Sequence, residues 1–159
     1  MKPYGESLKK PRRARTGLDE QIAELVGKTD HGALAVWACD CAERVLPYFE
    51  KNYPEDHRPR AAIEAGRAWA RTGVFRMVDA REAALAAHAA AREARGDDAT
   101  RSAARAAGHA LATAHAPSHS IAAAVYAATT VRDGVETADA DAAVTRERGW
   151  QYQRSLELQ

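Results

Sequence analysis

Apolar side chains recur at intervals of three and four residues most clearly between positions 30 and 50. This spacing places them on one face of an α-helix, and Asp30, just before the stripe, is a suitable N-cap. Pro47 falls inside the pattern and lacks a backbone N–H, so we expect a kink or an early end near Leu46. The stripe consists of Leu34, Trp37, Ala38, Cys41, Val45, Tyr48 and Phe49.

Shorter stripes predict further helices on either side of this one. One covers residues 18–26 and is expected to end at Gly27. The next ones are predicted over residues 59–71, with an end at Gly73, over residues 77–95, and over residues 98–115, with Asp97 or Asp98 as the cap. Two more are predicted, one from a cap at Ser118 to a turn at Gly134 and one from about Thr137. The helix over 77–95 has one side formed by Met77, Ala84, Leu85, His88 and Ala91, with Arg81 beside them.

Alanine decides the fold class. The chain has 159 residues, the size of one domain, and 38 of them are alanine. Alanine has the highest helix propensity, and its small side chain lets helix backbones approach closely. We therefore predict a single all-α domain over residues 17–159, with about six to seven short helices in a bundle or a short array of helical hairpins.

The charge is nearly balanced, with 23 basic and 22 acidic residues and a formal net charge of +1. Because no strong field surrounds such a chain, nucleic acid is not an expected partner. Residues 1–16 are the local exception and are predicted to be a flexible basic tail, with an arm that touches phosphates as the alternative. The basic side chains of this tail are Lys2, Lys9, Lys10, Arg12, Arg13 and Arg15.

Membrane and secreted classes are not expected. No apolar stretch approaches the roughly 20 residues of a membrane span, and no apolar segment follows the basic tail as in a secretory signal. Cys39 and Cys41 lie two apart on a helix, about 200° apart around its axis, so they cannot pair or chelate one metal. We expect them in the core as thiols, which fits a cytoplasmic protein.

Four histidines in the second half of the chain are candidates for a binding site: His88, His109, His115 and His119. Imidazole is a common metal ligand, but Pro117 interrupts the helix between His115 and His119, which removes the one-face geometry of a helical metal site. A structural or binding role is therefore predicted for the histidines, and no metal is expected.

Arg67 lies on the apolar face of its helix and needs a carboxylate partner, because an unpaired buried guanidinium is costly. Asp40 and Glu43 of the preceding helix are the candidates, and Arg44 is placed to extend the network. Such a cluster is either a structural clamp or a polar pocket that binds a ligand. The sequence has no phosphate-binding loop, nucleophile elbow or zinc-protease motif, so we expect no catalytic residue and no cofactor.

Four stretches carry a family resemblance: DHGALAVWACDCAERVLPYFEKNYPEDHRPRAAIEAGRAWA at 30–70, AREAALAAHAAAREA at 80–94, ARAAGHALATAHAPSHSIAAAVYAA at 104–128 and ERGWQ at 147–151. Together they resemble the bacterial Imm-5-like immunity proteins, whereas the tail lies outside the likeness. The positions that make this resemblance most specific are Trp37, Asp40, Glu43, Pro47, Arg58, Pro59, Arg60, Glu64, Arg67, Trp69, Arg81, His88, His109, His115 and His119.

The resemblance implies a cytoplasmic immunity protein that neutralises a cognate bacterial toxin by stoichiometric binding, without catalysis. The toxin is the expected partner, with a homo-oligomer as a further alternative. The residues proposed for the polar cluster or binding site are Asp40, Glu43, Arg60, Glu64, Arg67, Arg81, His88, His109, His115 and His119. The rival hypothesis is a helical enzyme that binds a metal or small ligand with the same histidine and arginine cluster.

Overall fold

The computed structural model describes residues 13–14, 16–74 and 76–159. These residues form seven α-helices and one 3-10 helix, and none of them lies in a strand, which confirms the predicted all-α class. The helices are α1 (Asp19–Lys28), α2 (His31–Glu50), α3 (Arg58–Thr72), α4 (Met77–Glu93), α5 (Asp98–Ala112), α6 (His119–Asp133) and α7 (Ala140–Glu157), with the 3-10 helix at Thr137–Asp139.

Local capping explains several of the boundaries. The Asp30 carboxylate accepts a hydrogen bond from the Ala33 N–H, and the Asp97 carboxylate accepts one from the Thr100 N–H at 2.9 Å. Both satisfy backbone donors that a helix N-terminus leaves unpaired. Gly73 follows α3 with φ of 68°, a left-handed conformation that favours glycine. The sequence predicted Asp30 and Gly73 at these positions, and Asp97 is one of the two caps it offered for α5.

Other boundaries differ from the predictions. The expected early end at Leu46 is wrong, because α2 continues through Pro47 to Glu50. Pro47 and Glu43 are both on the exposed side of α2, so the Glu43 carbonyl that loses its intrahelical donor can bind water instead. Helix α1 includes Gly27, and α5 ends at Ala112, before His115.

Two central helices, α2 and α5, organise the packing. Helix α5 packs on α6, α4, α2 and α3, while α2 also packs on α6, α3 and α7; α1 lies mainly on α7. In a linear array of hairpins each unit contacts only its neighbours in sequence. Because α2 packs on α5 and α6, the arrangement is a bundle, one of the two predicted architectures.

Small residues allow these helices to approach closely. The buried positions of α5 are all alanine, glycine, serine or threonine except for Leu111. At Gly66 of α3, an added Cβ would lie 2.7 Å from Cys39 Sγ and 3.6 Å from Leu111 Cα. Cys39 and Cys41 are fully buried free thiols, as predicted.

A buried arginine joins the two ends of the described chain. Arg148 of α7 is 1% exposed and donates to Asp19 Oδ1 at 2.7 Å and to Gln151 Oε1 at 2.8 Å. The Gln151 side-chain amide in turn donates to the Ala124 backbone carbonyl. The backbone carbonyl of Gln151 accepts a hydrogen bond from the Trp37 indole N–H. This network fixes α7 against α1, α2 and α6.

The predicted tail falls largely outside the described residues, which omit residues 1–12 and Arg15. Its described part is packed against α6: the buried Ala14 donates its N–H to Thr129 Oγ1 at 3.0 Å, and the Arg13 guanidinium lies over the Tyr126 ring. The extent of the tail stays a prediction. No described helix is long and apolar enough to cross a membrane.

Candidate functional site: a histidine-lined apolar groove

Of the ten predicted site residues, four form ion pairs, four line a groove, and Glu64 and His109 do neither. Arg67 of α3 meets both predicted partners on α2, with Nη1 2.8 Å from Asp40 Oδ1 and Nη2 2.5 Å from Glu43 Oε2. Asp40 also accepts from Arg154 Nε of α7 at 2.8 Å. The carboxylate of Asp40 thus joins three helices, which is the geometry of a structural clamp.

Arg44 does not extend this network, so that expectation was wrong. Its guanidinium donates to both carboxylate oxygens of Glu147 on α7, at 2.9 and 3.0 Å, and stacks on the Trp150 ring. Arg44 follows Asp40 by one helical turn but points towards α7, where a buried carboxylate and an aromatic face are both available.

Arg60 and Glu64 do not belong to a shared pocket with the other predicted residues. Arg60 donates to both oxygens of Glu50 at the end of α2, at 2.8 and 2.6 Å. The pairing lowers the pKa of the Glu50 carboxyl, chiefly through the hydrogen bonds from Arg60. Glu64 is exposed. Arg60 thus pins α3 to α2, and neither Arg60 nor Glu64 lines the groove described next.

The groove lies between α4 and α5 and is closed at one end by the start of α6, with a volume of about 190 Å³. Four of the predicted residues line it: Arg81, His88, His115 and His119. The rest of its wall is apolar and consists of Met77, Ala80, Ala84, Leu85, Leu111 and Ala112. Arg81 is exposed at the rim and makes no ion pair with the described residues.

His109 lies behind the groove wall and connects the histidines to α6. Its Nδ1 is 3.0 Å from His119 Nδ1, its ring stacks on Tyr126 with centroids 5.3 Å apart, and its centroid lies 4.9 Å from that of His88 in an edge contact. The close fit of α4 on α5 depends on Gly108, where an added Cβ would lie 2.7 Å from His88 Nε2. His115 is exposed beyond the end of α5.

Burial favours the neutral form of His88, His109 and His119 near neutral pH. It lowers the pKa of His109 to about 3, with further lowering by the neighbouring His88 and His119 and by Arg13 and Arg105. The pKa of His88 is lowered by burial first and then by Arg105 and Arg92, and that of His119 by burial first. Neutral imidazole rings pack well beside apolar side chains, so the groove is a surface for apolar contact.

The groove does not match the predicted polar pocket. Arg67 and Asp40 do not line it, and within residues 13–14, 16–74 and 76–159 no group of three or more histidines, cysteines or carboxylates is arranged to hold a metal ion. The Nδ1 atom of His88 is buried and has no hydrogen-bond partner among the described residues.

Sequence reasoning missed two parts of the site. The first is the Tyr126 ring beneath His109, because residues 17 positions apart gave no local signal. The second is the exposure of α4: Met77 and Leu85 were placed on its apolar side, yet their exposed fractions are 50% and 57%. Runs of alanine around them carry the helix signal but do not reveal which side the neighbouring helices leave uncovered.

Comparison with known proteins identifies the family of the chain. No curated protein and no solved structure matches it. The model of the family described as Imm-5 like putative immunity protein matches residues 24–158, which include α2 to α7 and the second half of α1. This match covers the clamp around Asp40 and the whole groove. The chain therefore belongs to the Imm-5 like immunity protein family.

Proposed function

We propose that the protein is an immunity protein that binds a cognate bacterial toxin in the cytoplasm and neutralises it stoichiometrically. The observation that carries the proposal is the family match over residues 24–158. On this proposal the chain acts by occupying a surface of the toxin, and no chemical step takes place on the immunity protein.

The character of the groove supports binding of a protein. Sites for small ligands are usually clefts of about 300 to 1,000 Å³ with convergent polar groups. The groove is smaller, at about 190 Å³, and its wall is mainly apolar. A space of this size suits one or two side chains of a protein partner, which is how interface anchors are held. The same comparison disfavours the small-ligand enzyme.

The balanced charge bears on the class of toxin. Inhibitors that occupy a phosphate-binding cleft need a strongly acidic surface to match it, whereas this chain has 22 acidic and 23 basic residues. A nuclease active site is therefore not the favoured target. Contact by apolar side chains is the mode of binding that the described surface supports best.

The proposal is tested with each candidate toxin domain that a gene adjacent to this one encodes. Co-expression should protect cells from that toxin, and the purified proteins should form a complex that survives size-exclusion chromatography. Titration of the toxin's activity should reach its end point at about one immunity protein per toxin. An unrelated toxin domain is the control.

Two results would count against this function. Absence of both protection and complex formation would remove the proposal. Complete inactivation of the toxin by far less than one equivalent would indicate turnover by this chain and would revive the enzyme hypothesis.

A further inference from the structure

We infer that the groove between α4 and α5 is the toxin-binding surface, and that its occupant is an amphipathic helix of the toxin with a carboxylate beside its apolar ridge. This inference rests on the proposed function and adds the contact site and the chemistry of the partner. It is argued from the distribution of exposed apolar side chains, from charge complementarity and from the absence of a strand among the described residues.

Exposed apolar side chains are concentrated on this side of the molecule. Seven large ones are exposed in the described part of the chain, and four of them lie on α4 or just before it. Their exposed fractions run from 50% to 75%, the highest of the seven. They are Val74, Met77, Val78 and Leu85. Met77 and Leu85 line the groove, and Val74 and Val78 are close to Met77 in the sequence. Exposed apolar side chains at and near an apolar groove are typical of a protein interaction site.

The shape of the occupant follows from the architecture. Partners that add a β-strand need an exposed sheet edge, and none of the described residues lies in a strand. Two packed helices instead leave a furrow into which the side-chain ridge of a third helix fits. From Met77 to His88 the groove follows α4 for about 16 Å, at about 1.5 Å per residue, which corresponds to about three helical turns.

Basic side chains at and near the groove favour an acidic partner. Arg81 has no ion-pair partner among the described residues and lies at the rim, and Arg105 and Arg92 are the charged side chains that lower the pKa of His88 most. On His109 the corresponding groups are Arg13 and Arg105. Among the described residues, the charged groups that shift the pKa of these two rings are basic, and no carboxylate is one of them. A toxin helix that carries a carboxylate about one turn from its apolar anchor would therefore complement this edge.

Two substitutions in the groove test the inference, each with a matched control on α7. Leu85→Asp places a charge at the groove, and Leu156→Asp places one at an exposed leucine elsewhere. Arg81→Glu reverses the charge of the rim, and Arg146→Glu reverses an exposed arginine on α7. Because all four side chains are exposed, we expect the thermal unfolding midpoint to change little in each variant.

Binding of the purified toxin domain is then measured by surface plasmon resonance. Leu85→Asp should raise Kd by about tenfold to a hundredfold through faster dissociation, as expected for an anchor residue. Arg81→Glu should slow association severalfold at low salt, and this difference should shrink as the ionic strength rises. The two control variants should bind within about twofold of the wild type. Hydrogen exchange of the wild-type complex should show protection of α4 and α5.

The outcomes separate the inference from the function on which it rests. If the wild type binds the toxin and both groove variants bind equally well, the groove is not the contact surface, while the immunity function stands. Protection confined to helices other than α4 and α5 would overturn the inference without the use of variants. If Leu85→Asp instead splits a dimer of this chain and leaves toxin binding unchanged, the occupant is a second copy. Failure of the wild type to bind removes function and inference together.

Discussion

His109 and His119 share a hydrogen bond through their Nδ1 atoms, which lie 3.0 Å apart. Such a bond needs one nitrogen with a proton and one without, so the accepting ring is neutral and carries its proton on Nε2. The bond joins α5 to the start of α6 across the Pro117 turn, directly behind the groove. The protonation of this pair and the shape of the groove are therefore coupled.

Acid should destabilise the protein through these histidines. Burial holds the pKa of His109 at about 3, below its ordinary value of 6.5, so below about pH 6.5 the unfolded chain binds more protons than the folded one. The stabilisation is complete above pH 6.5 and is lost as the pH falls towards 3. His109→Gln should reduce the difference in unfolding free energy between pH 7.5 and pH 5.0 by about 2 kcal/mol.

Urea unfolding at the two pH values measures this effect, and His57→Gln at an exposed histidine is the control. The pKa of the Glu50 and Asp56 carboxyls is lowered by Arg60 and Arg58, so these groups titrate below this window. An unchanged pH dependence in His109→Gln would show that this ring does not carry the effect.

The close approach of α3 to α2 and α5 predicts a strong effect at Gly66. In Gly66→Ala the new methyl group would lie 2.7 Å from Cys39 Sγ, inside a packed core, so the cysteine or the helix has to shift. Overpacking of this kind costs about 1 to 3 kcal/mol of unfolding free energy. At Gly149 of α7 nothing lies within 4 Å of an added Cβ, so Gly149→Ala should stabilise the protein by about 0.5 to 1 kcal/mol.

Thermal and urea unfolding of both variants test this contrast. A gain of stability in Gly66→Ala comparable to that in Gly149→Ala would mean that the core around Cys39 has room for the methyl group.

Removal of the buried Arg148 side chain should be among the most damaging single changes. Arg148→Ala would leave Asp19 without its guanidinium partner and Gln151 Oε1 without a donor inside the fold. Breaking a buried ion pair by removing one partner costs about 3 to 5 kcal/mol. Arg146→Ala, two residues away and exposed, should change the unfolding free energy by no more than about 0.5 kcal/mol. Equal stability of the two variants in urea unfolding would contradict the prediction.

A substitution in the clamp around Asp40 should lower the stability of the protein without weakening its binding to the toxin. Asp40→Asn removes the charge that pairs with both Arg67 and Arg154, so we expect a loss of about 1 to 3 kcal/mol in unfolding free energy. Toxin affinity should stay within about twofold of the wild type, because these residues do not line the groove. Glu64→Gln, at an exposed position on α3, is the control and should alter neither quantity. A large loss of toxin affinity in a folded Asp40→Asn protein would show that the clamp residues take part in binding.

The sequence alone determined the features that depend on neighbouring residues. Alanine content and helical spacing specified the all-α class, and the caps at Asp30, Asp97 and Gly73 specified their helix ends, since a cap needs only its own side chain or φ angle and the next few backbone groups. The pairing of Arg67 with Asp40 and Glu43 was also predictable, because α2 and α3 are consecutive helices joined by a short loop.

Only the tertiary structure decided which of several chemically equivalent partners meet. Arg148 and Asp19 are 129 residues apart, and Arg44 takes Glu147 because α7 returns to α2. The exposure of Leu85 was decided in the same way, by which side of α4 the bundle leaves uncovered. Charge, hydropathy and helical phase are properties of a residue and its near neighbours, whereas pairing and exposure depend on how distant helices pack, and many packings satisfy the same alanine-rich faces.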